Sequence, residues 1–203
     1  MSGTAIYQME QIALEPEAIA ERDTPMVEMI SKITTHQLEQ SINAERSFRY
    51  GEEMLTLPDA KPHFDKLVAM FEKYSKLVNK EVIQGEEMAA KFIELSGTKE
   101  DKDEFKHILK ALKKFEKQHP VFENHFRETL VLVKVGNLVE ARKMFQVIEH
   151  EEEILNHELE DLLAEIEQFT VKSAQKAKAH EESAVQMVSI AAIVGVIIAL
   201  LSA

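Results

Sequence analysis

Residues 138–169 read LVEARKMFQVIEHEEEILNHELEDLLAEIEQF. Leu138, Ala141, Phe145, Ile148, Leu155, Leu159, Leu162, Ile166 and Phe169 fall on alternate steps of three and four, and only Glu152 breaks the run. A period near 3.5 is the seam of a helix packed at a shallow left-handed angle against others. Asn137, with Glu140 three residues on, resembles a capping box at the start. No Gly or Pro occurs from Leu138 to Val194. One unbroken helix of that length would run roughly 85 Å.

The far end of this rod changes character. Residues 183–203, SAVQMVSIAAIVGVIIALLSA, carry no charge. As a helix they would span about 31 Å, close to the hydrocarbon thickness of a bilayer. The reading is a transmembrane helix in a lipid bilayer, with a hydrophobic tail docked on its own bundle as the alternative. Ala191, Gly195, Ala199 and Ala203 recur every four residues, a spacing that lets two helices approach closely in a membrane. Lys172, Lys176 and Lys178 lie before the span; taken alone, they would place the rest in the cytoplasm.

Upstream, the same periodicity is punctuated by turns. Asp23-Thr24-Pro25 reads as a helix start, and a helix is expected from Met26 to about Met54. Its apolar residues, Met26, Ile30, Ile33, Leu38, Ile42 and Phe48, are sparse. A second helix, about Pro62 to Leu95, carries Phe64, Leu67, Phe71, Tyr74 and Val78 at core spacing. Gly97 and Thr98 close it and open a third, about Lys99 to Val135, with Phe105, Ile108, Leu112, Phe115, Phe122, Phe126 and Val133 as its stripe. His119-Pro120 is expected to kink or briefly break that helix. Gly136-Asn137 is so short a link that the third and fourth helices must be antiparallel neighbours. The expected fold is all-α: an antiparallel up-down-up-down four-helix bundle, residues 1–182, whose last helix continues into a C-terminal transmembrane helix, residues 183–203.

Composition narrows the function. The chain has 203 residues and a formal net charge of −12, all of it before Ser183. A strongly anionic surface disfavours nucleic acid as a partner. There is no Cys, hence no disulfide framework and no thiolate metal site. The start, MSGTAIYQMEQ, lacks the basic and apolar regions of a signal peptide. No nucleophile–base pairing, glycine-rich phosphate loop or zinc spacing is present, so an enzyme and a cofactor are not expected.

Two chemical readings remain. Glu104-x-x-His107 and Glu116-x-x-His119 match the Glu-x-x-His pair of ferritin-like carboxylate sites, but both lie on one helix, where a di-iron site draws them from two. His150 and His157 sit seven apart among Glu151, Glu152, Glu153 and Glu158, which reads better as a solvated acidic face than as a metal site. The second reading is the polar run from His36 to Tyr50, which sets polar groups where a bundle helix favours apolar ones. Arg46, Arg49 and Tyr50 would hold an anion by charge-assisted hydrogen bonds, with Gln40 and Asn43 fixing its orientation. The bland alternative is an ion pair of Glu39 or Glu45 with an Arg, or an exposed helix face.

Residues 33–53, ITTHQLEQSINAERSFRYGEE, are similar to the first sensory helix of one group of bacterial methyl-accepting chemotaxis proteins. Residues 125–177, from HFRETLVLVKVGN to FTVKSAQKA, resemble the third-to-fourth helix hairpin of the same group. The resemblance implies a ligand-sensing bundle, periplasmic and homodimeric, anchored in the bacterial inner membrane. It also implies a second span leading to a HAMP linker and a kinase-coupling coiled coil. The sequence departs from the pattern in having neither a first span before Tyr7 nor that downstream region after Ala203. The resulting expectation is the input module of a chemotaxis-type transducer. The rivals are a tail-anchored helical tether without a ligand and a metal-binding ferritin-like bundle.

Overall fold

The computed structural model describes residues 15–201, with side chains as far as Ile190 except Val188. Four long helices carry the chain: α1 (Thr24–Glu53), α2 (Ala60–Leu95), α3 (Lys99–Lys134) and α4 (Leu138–Leu201). The described residues contain no strand. The expected rod is therefore one continuous helix, α4. Contacts divide the described residues into two compact units, residues 26–164 and a second in which residues 15–25 join residues 165–201.

Local chemistry explains most of the ends. The Thr98 hydroxyl accepts the Asp101 N–H at 3.1 Å, with Glu100 and Asp101 in the first turn of α3. At the other end Gly136 takes φ 76°, and the Asn137 and Gly136 N–H groups return to Leu132 and Val133 carbonyls at 3.0 Å. This is a Schellman closure, which uses the left-handed conformation that only Gly adopts without strain.

Two expectations need correction. Asp23-Thr24-Pro25 does not start a separate helix, because the helix of residues 15–23 runs into it through a π-helical turn, Ile19–Asp23. Pro25 has no N–H, and the wider bond from Thr24 N–H to Ile19 O carries the helix over that position. Of the kink or brief break expected at His119-Pro120, the break is absent: α3 runs on from Lys99 to Lys134. Buried Phe115 and His119 before it, and Phe122 and Phe126 after it, anchor both halves to the same core. That burial offsets the one backbone bond Pro removes.

Within residues 26–164 the helices form an antiparallel bundle. Phe71 lies against Phe126 and Phe92 against Phe105, which sets α2 against α3. Lys114–Glu158 and His125–Glu151 pair α3 with α4. Phe48 stacks on Phe145, and Arg142 bonds Glu52, pairing α4 with α1. Tyr50 stacks on His63 and His36 meets Glu81, pairing α1 with α2. In every pair one number rises as the other falls, the signature of up-down-up-down topology.

The buried seams are heptads. On α4 the seam is Ala141, Phe145, Ile148, Leu155, Leu159, Leu162 and Ile166, leaving the expected Leu138 and Phe169 half-buried. On α3 it runs Phe105, Ile108, Leu112, Phe115, His119, Phe122, Phe126 and Val133. On α2 it passes through Phe64, Phe71, Ser75, Val78, Val82, Gly85, Ala89 and Phe92, leaving the expected Leu67 and Tyr74 half-buried. On α1 it passes through Met26, Ile30, Ile33, Gln37, Gln40, Ala44, Ser47 and Gly51, leaving Leu38 half-buried and Ile42 exposed. Gly51 is required where α1 meets α3: a Cβ there would lie 2.7 Å from Val133 Cγ1.

Among the described residues no helix is long and apolar enough to cross a membrane. Only the first turns of the expected span, residues 183–203, fall among the described side chains.

Candidate functional site: a polar layer through the bundle

Heptad seams stack side chains in layers, and one layer of this bundle is polar on all four helices. It takes Gln37, Gln40 and Ser41 from α1, Ser75 and Asn79 from α2, His119 and Glu123 from α3, and Glu152 and Asn156 from α4. Gln37 and Gln40 are 0% exposed and His119 is 1% exposed. Phe71, Phe115, Phe122 and Phe126 pack on both sides of it.

Glu123 organises one half. Its Oε1 accepts from the Ser75 hydroxyl, and from Gln40 Nε2 and Asn79 Nδ2 at 3.4 Å each. Its Oε2 lies 3.4 Å from Arg127, which forks onto Glu72 through two bonds of 2.9 Å. That fork, together with the Glu123 carboxylate, holds the Arg127 guanidinium above its ordinary pKa. A buried carboxylate here is thus ringed by donors, as burial of a charge requires.

His119 links the helices. Its Nε2 is 2.7 Å from Gln40 Oε1, and its Nδ1 is 3.1 Å from Asn79 Oδ1 and 3.6 Å from Glu123. Burial pushes the imidazole down from 6.5 to about 4, against the pull of Glu123. A neutral ring has a single N–H, which the shorter contact assigns to Nε2.

The other half, between α1 and α4, is not closed. Gln37 Nε2 donates to Ser41 Oγ at 3.4 Å, and the Ser41 hydroxyl bonds Glu152. Gln37 Oε1, Glu152 Oε2 and Asn156 Oδ1 are buried without a hydrogen-bond partner. Burial and the nearby Glu45 and Glu149 raise the Glu152 carboxyl to about 7, while the Ser41 bond opposes them. Glu152 therefore titrates near neutrality, and the groups around it are acidic.

The residues expected to bind an anion divide between core and surface. Gln40 faces the core and belongs to the polar layer. Asn43 is buried, and its amide returns to the Glu39 carbonyl of its own helix. Arg46 and Arg49 are exposed, and Arg49 lies over the half-buried Tyr50 ring at 5.2 Å. Ala191, Gly195 and Ala199 lie on the α4 backbone but outside the residues whose side chains are described. Among the described residues no three His, Asp or Glu side chains are grouped to hold a metal ion.

Sequence reasoning found Gln40, His119 and the break at Glu152. It placed Gln37 and Ser41 in the polar run without giving them a role, and it missed Ser75, Asn79, Glu123 and Asn156. Ser75 was detectable, since it sits four residues after buried Phe71 and three before buried Val78, whereas Gln37 follows buried Ile33 but has only Gln40 and Ser41 on its other side. Glu123 carried no such mark, because it is the fourth residue after His119 and is off the seam. Compared with known protein families, with characterised proteins and with solved structures, the chain matches none.

Proposed function

We propose that this chain is the ligand-sensing input module of a chemotaxis-type transmembrane transducer, with the polar layer as its responsive element and α4 as its output. The observation that carries the reading is that α4 joins this layer through two groups, Glu152 and Asn156, whose buried oxygens have no partner. Whatever satisfies those oxygens acts directly on the helix that continues to Leu201. A packed seam has few alternative arrangements, so a small change in one layer favours a discrete shift of the whole helix. The resemblance of residues 33–53 and 125–177 to chemoreceptor sensory helices supports the same role. On this reading residues 183–203 cross the inner membrane, the bundle is periplasmic and homodimeric, and the output passes to a HAMP and kinase-coupling region.

The test joins the chain after Ala203 to the HAMP and signalling portion of a working chemoreceptor. Kinase output is then followed during exposure to amines, amino acids and organic acids. A saturable change in output with one compound class is expected. A hybrid that reaches the membrane and responds to none of them would defeat the sensory role. Reporter fusions that place the bundle in the cytoplasm would favour a tail-anchored tether instead.

A further inference from the structure

We infer that the open half of the polar layer holds a small primary ammonium group, between Gln37 on α1 and Glu152 and Asn156 on α4. The role of such a ligand rests on the sensory reading above, but its binding is argued from the three oxygens alone.

All three orphaned atoms are acceptors. Gln37, whose amide oxygen is one of them, is 0% exposed, so bulk water does not serve it. They are neighbours: Gln37 reaches Ser41 one turn along α1, Ser41 bonds Glu152, and Asn156 lies one turn beyond Glu152 on α4. A primary ammonium has three N–H donors and no acceptor, which matches this set one for one. A single water has only two hydrogens to give and cannot balance a carboxylate. The surrounding charge has the right sign. Glu45 on α1 and Glu149 on α4 act on Glu152, while the α3 side chains near α4, His125 and Lys114, are bonded to Glu151 and Glu158. Seam packing limits the head to something small, so ammonium and methylammonium are the natural probes.

The cation needs an ionised Glu152, whose carboxyl titrates at about 7. Binding should therefore strengthen roughly tenfold between pH 6 and pH 8. The experiment titrates methylammonium chloride into the full chain in a mild detergent, at ionic strength held constant with KCl, and follows thermal melting and heat of binding. A saturable rise in Tm over KCl is expected, weakened roughly tenfold or more and stripped of its pH dependence in Glu152→Gln. Asn156→Leu, which keeps the carboxylate, should weaken binding while leaving the pH dependence in place. The proposal is overturned by no shift at pH 8, by an equal shift with tetramethylammonium, which has no N–H, or by equal competition from KCl. It is also overturned if Glu152→Gln binds as the parent does. Methylammonium binding without any change in output of the hybrid receptor would keep the site and remove the sensory role. Failure of binding beside a hybrid that answers another compound would do the reverse.

Discussion

The α2–α3 hairpin and the polar layer occupy the same core but are held together differently. In the hairpin, Phe71, Phe122 and Phe126 cluster with ring centroids 4.0–5.9 Å apart, and Phe92 meets Phe105 at 5.3 Å. Those contacts need no partner and tolerate no gap; their strength is burial. In the layer, Gln40, Ser75, Asn79, His119 and Glu123 each depend on the others for their hydrogen bonds. Burial there costs free energy that the bonds at best return. The bundle's stability therefore comes from the aromatic region, and the layer's contribution is to register.

The largest effects should come from the aromatic side. Phe126→Ala removes a fully buried ring between two helices and should cost about 3–5 kcal/mol in urea unfolding. Glu123→Ala comes next, at about 3 kcal/mol, because it strands the donors of Ser75, Gln40 and Asn79. The comparison breaks or holds on a third variant. Gln40→Leu, His119→Leu and Glu123→Leu together should be as stable as the parent, or more stable by about 1–3 kcal/mol. A triple variant less stable than Glu123→Ala would mean that the layer contributes stability after all.

The same contrast sets what was legible in the sequence. The α4 seam could be read because Glu152 is the one polar residue among its heptad positions. On α1, Gln37, Gln40, Ser47 and Gly51 occupy seam positions, so apolar spacing pointed instead to Leu38 and Ile42. Two of these are explained only by neighbours distant in sequence: Gly51 by the approach of Val133, and Gln40 by His119 and Glu123. The fold was thus readable from periodicity, helix ends and link lengths. The site was readable only as a departure from periodicity, because which polar group meets which is settled by helix packing. The break expected at Pro120 is absent for a related reason, since a local rule about one backbone bond yields to a core anchored on both sides.

Protonation sharpens the comparison inside the layer. The Glu152 carboxyl is raised from 4.5 to about 7, so the folded chain binds the extra proton across that window. Stability contributed by the neutral acid is full below pH 4.5 and is lost as pH rises toward 7. His119 is lowered from 6.5 to about 4, so the unfolded chain binds the extra proton. Its share is full above pH 6.5 and is lost as pH falls toward 4. The two slopes oppose each other between about pH 4.5 and 6.5, each on the order of 3 kcal/mol across its window. Urea unfolding of the parent should therefore be nearly flat there with respect to these two groups. Glu152→Gln should uncover stability rising with pH, and His119→Gln should uncover stability falling with pH. Parallel curves for parent and variants would break the assignment.

The smallest effect is expected on the face of α1 that points away from both regions. Arg46 and Arg49 are exposed, so replacing either with Ala should change stability by less than about 0.5 kcal/mol. This weak effect separates two ways of binding. If an anion is held by Arg46, Arg49 and Tyr50, the Arg46→Ala and Arg49→Ala variants lose ligand response while melting like the parent. If the layer is the responsive element, both variants keep the response, and Glu152→Gln, buried in the seam, loses it. Melting and hybrid-receptor output measured on the same three variants decide between the surface and the core. The core is expected, because the exposed arginines have water to satisfy them, whereas the oxygens of Gln37, Glu152 and Asn156 do not.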